Sequence, residues 1–210
     1  KIIVDIYSDT ICPWCYIGLK ILKSATRELS NLDFYFIWRP FQLNPNMPID
    51  GMDRQKYLEE KFQGKKNARD SYKKIYEAGL KNNIHFQFEK ITKTPNSFAS
   101  HKLLALAHNK NKQTEVIESL VYDYFIEGVD IGKTDELTRI AKQHNFFNNE
   151  TTEYLKSSQD KENLLAEQKH ARELGINSVP CFIINKKYVL FGAQEKANFL
   201  KIFNNIDDDN

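Results

Sequence analysis

Ile2-Ile3-Val4-Asp5-Ile6-Tyr7-Ser8-Asp9-Thr10-Ile11-Cys12-Pro13-Trp14-Cys15-Tyr16-Ile17-Gly18 is the stretch that decides how this chain is read. Ile2 to Tyr7 is short, apolar and β-branched, the pattern of a buried strand. Ser8 to Ile11 reads as a turn. Pro13 suits the first position of a helix, where its missing N–H leaves no hydrogen bond unmade. That helix is expected to run to about Leu29, burying Ile17, Ile21, Leu22, Ala25 and Leu29. A second strand follows at Phe34 to Trp38. The two cysteines therefore stand between a strand and a helix. At Cys12 the unpaired N–H groups and the positive end of the helix dipole stabilise a thiolate. Cys15 lies one turn further in, within bonding reach. The expected division is an outward, ionised Cys12 that attacks and a more buried, protonated Cys15 that resolves the mixed disulfide. A stabilised thiolate makes the disulfide more oxidising, and Pro13 and Trp14 tune this. A zinc site wants four ligands, and no second C-x-x-C or close His pair supplies them, so no metal is expected.

Outward from this stretch, Pro40 to Pro48 is a proline-studded loop, too rigid for a linker and too apolar to be ignored by the core. Between Asp53 and about Asp160 the texture changes. Asp53–Phe62, Asn67–Asn82, Ser97–Asn109, Thr114–Ile126, Thr134–Asn145 and Thr151–Ser157 look helical, most with apolar residues at three- and four-residue spacing. Lys65-Lys66, after Gly64, reads as a solvated turn. A further helix runs from about Asp160 to Leu174 and Gly175 stops it. Cys181–Ile184 and Tyr188–Phe191 read as strands of a hairpin through Asn185-Lys186-Lys187. A last helix is expected over Glu195–Asn204, with a frayed tail from Ile206 to Asn210. Pro180 opens a strand after a helix and a glycine stop, which, with the C-x-x-C upstream, suggests a cis Val179–Pro180 bond.

Composition narrows the class. The 210 residues suit one domain with a large insertion or two small domains sharing a core. At 41% hydrophobic and 28% charged, the chain reads as globular. Thirty basic against 28 acidic side chains leave a net charge of +2, which demands neither nucleic acid nor an acidic membrane as partner. No run of eighteen apolar residues suggests a membrane span. Cys12, Cys15 and Cys181 are the three cysteines. One pair and an odd thiol do not make a structural disulfide framework, and they suit a reducing, cytoplasmic setting. The first residues lack a signal-peptide cleavage site, but the chain starts at Lys1 without an initiator Met, so a lost leader stays open.

The motifs together carry a resemblance. Asp9 to Gly18 resembles the opening of the FrnE-like branch of the DsbA family. The likeness continues in Arg39-Pro40-Phe41-Gln42-Leu43-Asn44-Pro45, in Asn96 to Leu104, in Ser178-Val179-Pro180-x-Phe182 and in Phe191-Gly192-Ala193-Gln194. It implies an α/β chain with a thioredoxin fold interrupted by an all-helical insert: residues 1–50 and 160–210 in the discontinuous thioredoxin-like domain, 51–159 in the insert. It implies disulfide exchange with protein or small-thiol substrates. By position, Cys12 is the nucleophile, Cys15 the resolving thiol and Pro180 the cis-proline facing them, with Val179 in the backbone that pairs with an extended substrate. No bound cofactor is implied; glutathione or another thiol is the possible co-substrate. Three departures stand out: Ser97 where the family usually has Thr, Ser100 for Ala, and Cys181 after the proline, where an apolar or aromatic residue is more usual.

Several residues have two readings. Asp9 caps the helix or makes the turn, the favoured view, or else carries a proton near Cys15. His101 faces the dithiol across the domain boundary or is a satisfied core histidine, the latter favoured. His85, His108, His144 and His170 read as surface. Trp14 is expected to be exposed beside the thiols, and Phe41, Leu43 and Met47 wall the same cleft or merely pack. Cys181 is taken as an inert buried thiol rather than a third redox group. The competing function is a glutathione-dependent transferase or isomerase resembling the kappa-class and 2-hydroxychromene-2-carboxylate isomerase enzymes. Those typically carry Ser at the position of Cys12 and lack the second thiol. A non-catalytic binding module is the third class. Oligomeric state is not legible.

Overall fold

Strand β1, Ile2–Ser8, is buried at six of its seven positions, so it can only be an interior strand. The computed structural model describes residues 1–208, with side chains as far as Ile206. After β1 comes helix α1, Pro13–Glu28, and then strand β2, Phe34–Pro40. β2 lies parallel to β1, pairing Ile2 with Phe34 and Ser8 with Pro40. The parallel return needs a crossover, and α1 supplies it.

The chain then enters its helical stretch: a two-residue strand β3, Met52–Asp53; α2, Arg54–Phe62; α3, Lys65–Lys81; a second short strand β4, Lys93–Thr94; α4, Phe98–His108; α5, Gln113–Tyr122; α6, Thr134–Gln143; and α7, Asn149–Lys156. Helix α8, Lys161–Glu173, packs back on β2. Strands β5, Cys181–Ile184, and β6, Tyr188–Phe191, close the sheet, and α9, Lys196–Asp208, covers α1. The sheet order is β2-β1-β5-β6, with β5 antiparallel to β1 and β6 antiparallel to β5. Asn185 and Lys186 both take positive φ, of 48° and 57°, as a tight hairpin turn requires.

Five expectations need correction. The stretch from 51 to 159 is not all-helical, because β3 pairs with β4, Met52 opposite Thr94; two residues show no alternation to read. The helix expected over Thr114–Ile126 changes at Asp123–Glu127 into a π-helical turn that buries the consecutive Tyr124 and Phe125 and stops at Gly128. Lys65 and Lys66 begin α3 instead of forming a turn, Gly64 taking the bend at φ +126°. His144 is half-buried, hydrogen-bonded to Ser119 at 2.8 Å. The last helix runs on to Asp208 and buries Ile206, so fraying does not begin there; Asp209 and Asn210 lie outside the described residues.

One apolar core runs from Val4 and Ile6 of the sheet through Leu22 of α1 to Leu104, Leu120 and Ile140 of the helices. A second, smaller group gathers at one end of the sheet: Tyr7, Cys12, Cys15, Phe41, Ala171, Ile176, Val179 and Cys181. It forms there because Tyr7 and Cys181 are paired neighbours on β1 and β5, so the loops leaving and entering these strands meet.

Candidate active site

Cys12 occupies the N-cap of α1 with φ −96° and ψ 115°, and Pro13 follows inside the helix. The Cys12 carbonyl accepts from the N–H of Cys15 at 3.0 Å and of Tyr16 at 3.3 Å, which holds Cys15 one turn in. The Cys12 thiol is held below the ordinary thiol range, first by a hydrogen bond from the Cys15 thiol and also by the amides of Cys15 and Trp14. Burial works against this. Cys15 is pushed well above that range, first by burial, then by the bond it gives to Cys12 and by the charge that bond stabilises.

The asymmetry between the thiols is therefore one of hydrogen bonding, not of exposure. Cys12 was expected to face outward, yet both sulfurs belong to residues only 4% exposed. Phe41, Ile176 and Val179 pack around them and exclude water. Trp14, at 38%, is the exposed member of the motif. The Val179–Pro180 bond is cis. The Cys12 thiol donates to the Val179 carbonyl oxygen at 3.8 Å. The third thiol, Cys181, is fully buried and unbridged, and burial raises it to about 11.

Asp9 does not cap α1, for its carboxylate accepts from no N–H of that helix, but it does make the turn, as the other half of the favoured reading had it. It also holds the loop. Its carboxylate accepts from the Leu43 N–H at 2.8 Å and from the Ile11 N–H at 3.5 Å, and its backbone carbonyl accepts from the Cys12 N–H at 3.1 Å. The His101 Nε2 lies 3.5 Å from Asp9 Oδ1, with both side chains sealed from solvent. That nitrogen is the one buried side-chain nitrogen or oxygen among the described residues that lacks a hydrogen-bond partner. The favoured reading of His101 as a satisfied core residue therefore fails, and the helical part of the chain does bring it to the dithiol loop. Its ring also lines a cavity of about 220 Å³ bordered by Trp38, Arg39, His108, Asp160 and Glu167.

A DSBA-like thioredoxin domain is the family whose model matches residues 3–204. The chain belongs to this family. Among solved structures it is similar to a probable DsbA oxidoreductase from Streptomyces coelicolor, with a TM-score of 0.87 at 20% identity over 96% of this chain and 88% of that one. It is similar to the cytosolic disulfide reductase DsbM from Pseudomonas aeruginosa, with a TM-score of 0.64 at 15% identity over 94% and 91% of the two chains. DsbM has also been determined with GSH. A 2-hydroxychromene-2-carboxylate isomerase aligns with a TM-score of 0.65 at 11% identity over 98% and 95%. At these identities the likeness is one of fold. No curated protein matches the chain. The fold is thus a DsbA-like thioredoxin fold, and members of this family are oxidoreductases or isomerases.

Within this DSBA-like frame, Ser100, which departs from the usual Ala, has a structural use. Its hydroxyl lies 2.7 Å from Thr10 Oγ1 and donates to the Ser97 carbonyl at 2.7 Å, so α4 is tied to the loop before Cys12. The Asn96 side chain ties the neighbouring loop, donating to the Met47 carbonyl at 2.6 Å and accepting from Gln42 at 3.1 Å. Phe41 packs beside the thiols and Leu43 lies against that group, whereas Met47 is buried without joining it. Arg54 and Tyr72 escaped the sequence reading. Arginine is seldom fully buried, so nothing in Asp53-Arg54-Gln55 signals that its guanidinium lies inside.

Proposed function

We propose that the chain is a thiol–disulfide oxidoreductase that exchanges disulfides with polypeptide or small-thiol substrates through Cys12-Pro13-Trp14-Cys15. The observation that carries this reading is the placement of Cys12 at the N-cap of α1, with Cys15 held one turn in and the cis Val179–Pro180 bond facing the pair. One sulfur is thereby prepared as nucleophile and the other kept protonated.

In the reducing direction the Cys12 thiolate forms a bond with one substrate sulfur. The substrate S–S bond breaks and its other half leaves as a thiolate that takes up a proton. The Cys15 thiol then loses its proton and attacks the Cys12 sulfur, and the second substrate sulfur leaves as a thiolate that is protonated in turn. Two electrons have passed from the dithiol to the substrate, and Cys12 and Cys15 end as a disulfide. Oxidation is the same sequence reversed. Pro180 and Val179 offer backbone beside Cys12 for an extended substrate, and Trp14 offers an exposed apolar contact. Glutathione or another thiol serves as co-substrate, without a bound cofactor. DsbM, determined with GSH, is the neighbour that makes a small thiol the first candidate. The motifs resemble those of the FrnE-like branch, and the cysteine usage suits the cytoplasm. No helix of the described residues is long and apolar enough to cross a membrane.

The glutathione-dependent transferase or isomerase reading draws on the isomerase neighbour. The second thiol argues against it, since that chemistry has no use for Cys15.

The test is equilibration in glutathione redox buffers followed by mass mapping. A Cys12–Cys15 disulfide should form with a midpoint between about −270 and −120 mV, and the reduced protein should reduce insulin. A pair that stays reduced throughout, with no turnover, would falsify the assignment.

A further inference from the structure

Arg54, the first residue of α2, is only 6% exposed. Its Nη1 donates to Thr94 Oγ1 at 3.0 Å and to the Tyr124 hydroxyl at 3.3 Å, and its Nη2 donates to the Tyr72 hydroxyl at 2.5 Å. The rings of Tyr57, Tyr72 and Tyr124 surround it, with centroids 5.7, 5.1 and 6.0 Å from the guanidinium carbon. The ion pairs among the described residues leave Arg54 without a carboxylate. The tyrosines supply no charge either, because burial raises Tyr72 to about 12 and raises Tyr124 as well. A buried cation without an anion is costly and is seldom kept without a use.

The guanidinium has five N–H groups. The two on Nη1 and one on Nη2 are engaged, so the Nε–H and a second Nη2–H have no acceptor among the described residues. Nε is not sealed in, for the buried orphan atom is the His101 nitrogen. The cage is tied to the loop that packs against the dithiol. Leu43, which packs against the Cys12 group, donates its N–H to Asp9 at 2.8 Å and is followed directly by Asn44. The Asn44 amide donates to the Tyr57 hydroxyl at 2.8 Å, and Asn44 belongs to the loop whose Phe41 packs on Cys12.

We propose that Arg54, braced by Tyr72 and Tyr124, docks the carboxylate of a small, carboxylate-bearing disulfide or thiol whose sulfur reacts at Cys12. This rests on the disulfide-exchange reading above. A guanidinium with two donors free matches a carboxylate in two-point fashion, and its partial burial strengthens the pairing. Arg54 takes no part in the electron transfer. It binds one end of the substrate while Cys12 bonds to a substrate sulfur and the other half leaves as a thiolate that is protonated by solvent.

The experiment compares dithiodipropionate with bis(hydroxyethyl) disulfide as oxidants of the reduced protein, each rate divided by that of a free thiol with the same disulfide. The carboxylate-bearing compound should be favoured about tenfold, the value of one well-formed ionic contact. Arg54→Met should collapse that ratio and Arg54→Lys should restore part of it. Added salt should lower the ratio in the unsubstituted protein, a readout that needs no variant to fold. A ratio near unity in the unsubstituted protein overturns the proposal. So does a ratio that survives Arg54→Met while both rates fall, which marks Arg54 as a structural brace. A preference for acidic over neutral peptide disulfides without one for dithiodipropionate overturns the small-substrate assignment. Absence of reaction with every disulfide removes instead the exchange reading on which this rests.

Discussion

The Cys12 thiol donates to the carbonyl oxygen of Val179, 3.8 Å away. The two residues come from opposite ends of the chain and meet because Tyr7 of β1 pairs with Cys181 of β5. The loop entering α1 and the loop entering β5 therefore leave the sheet side by side. Chemistry at Cys12 takes place against the backbone of the second loop, and the behaviour of the site follows from that contact and from the charges beneath it.

Cys12 should react before Cys15. Its thiol is lowered by the bond from Cys15, whereas burial holds Cys15 protonated. Alkylation near neutral pH followed by peptide mapping should label Cys12 first. Cys12→Ser should abolish exchange, and Cys15→Ser should accumulate mixed disulfides at Cys12. First labelling at Cys15 would reverse the roles.

Asp9→Asn should lower the titration midpoint of Cys12, because the Asp9 carboxylate is one of the groups that raise both thiols. The amide oxygen can still accept the Leu43 N–H, so the loop is kept. Thiolate absorbance against pH reads the midpoint, and the dithiol should become more oxidising in parallel. Asp9→Ala is different. It orphans the Leu43 N–H and should cost about 1–3 kcal/mol in urea unfolding. An unmoved midpoint in Asp9→Asn would show that Asp9 exerts no charge effect on the thiols.

The reduced protein should lose stability on the alkaline side. Burial raises Cys181 to about 11, above its unfolded value near about 8.5. A buried thiol of this kind favours the fold while protonated. Its contribution is complete below the unfolded value and is lost as pH rises from there to about 11. Cys15 acts in the same direction and Cys12 in the opposite one. Cys181→Val has a similar volume and cannot ionise, so its unfolding midpoint should fall less steeply across that window. Equal slopes in the two proteins would contradict this.

Gly18→Ala should destabilise the protein by about 1–3 kcal/mol. A Cβ there would lie 2.9 Å from Pro180 Cγ and 3.0 Å from Phe182 Cζ. Urea unfolding measures the loss. The strain would also push the Pro180 loop away from α1, so slower disulfide exchange should accompany it. A variant with unchanged stability would mean that this contact relaxes freely.

Much of the architecture could be read along the chain. The apolar run of β1, the proline inside the start of α1 and the glycine after α8 are local signals, and each marks an element boundary to within a few residues. The strands β3 and β4 left no trace because two residues have no periodicity. The π-helical turn at Asp123–Glu127 was hidden because a helical pattern does not announce an inserted residue. Lys102 shows the same limit. It lies in α4 at 1% exposure, donating to the carbonyls of Tyr154 and, at 2.6 Å, Ser157, where a lysine on a helix would be placed in solvent.

By itself the sequence determined that Cys12 begins a helix after a buried strand and that Cys15 lies one turn beyond it. These are consequences of backbone geometry and of neighbours within a few residues. Only the tertiary structure decided that both thiols are covered, that His101 sits 3.5 Å from Asp9, and that Arg54 is caged by three tyrosines. Burial and charge are properties of a place, and that place is made by segments far apart in the chain. Thr10 meets Ser100 only after α4 has closed over the end of the sheet, and Leu43 meets Asp9 because β1 and β2 end side by side.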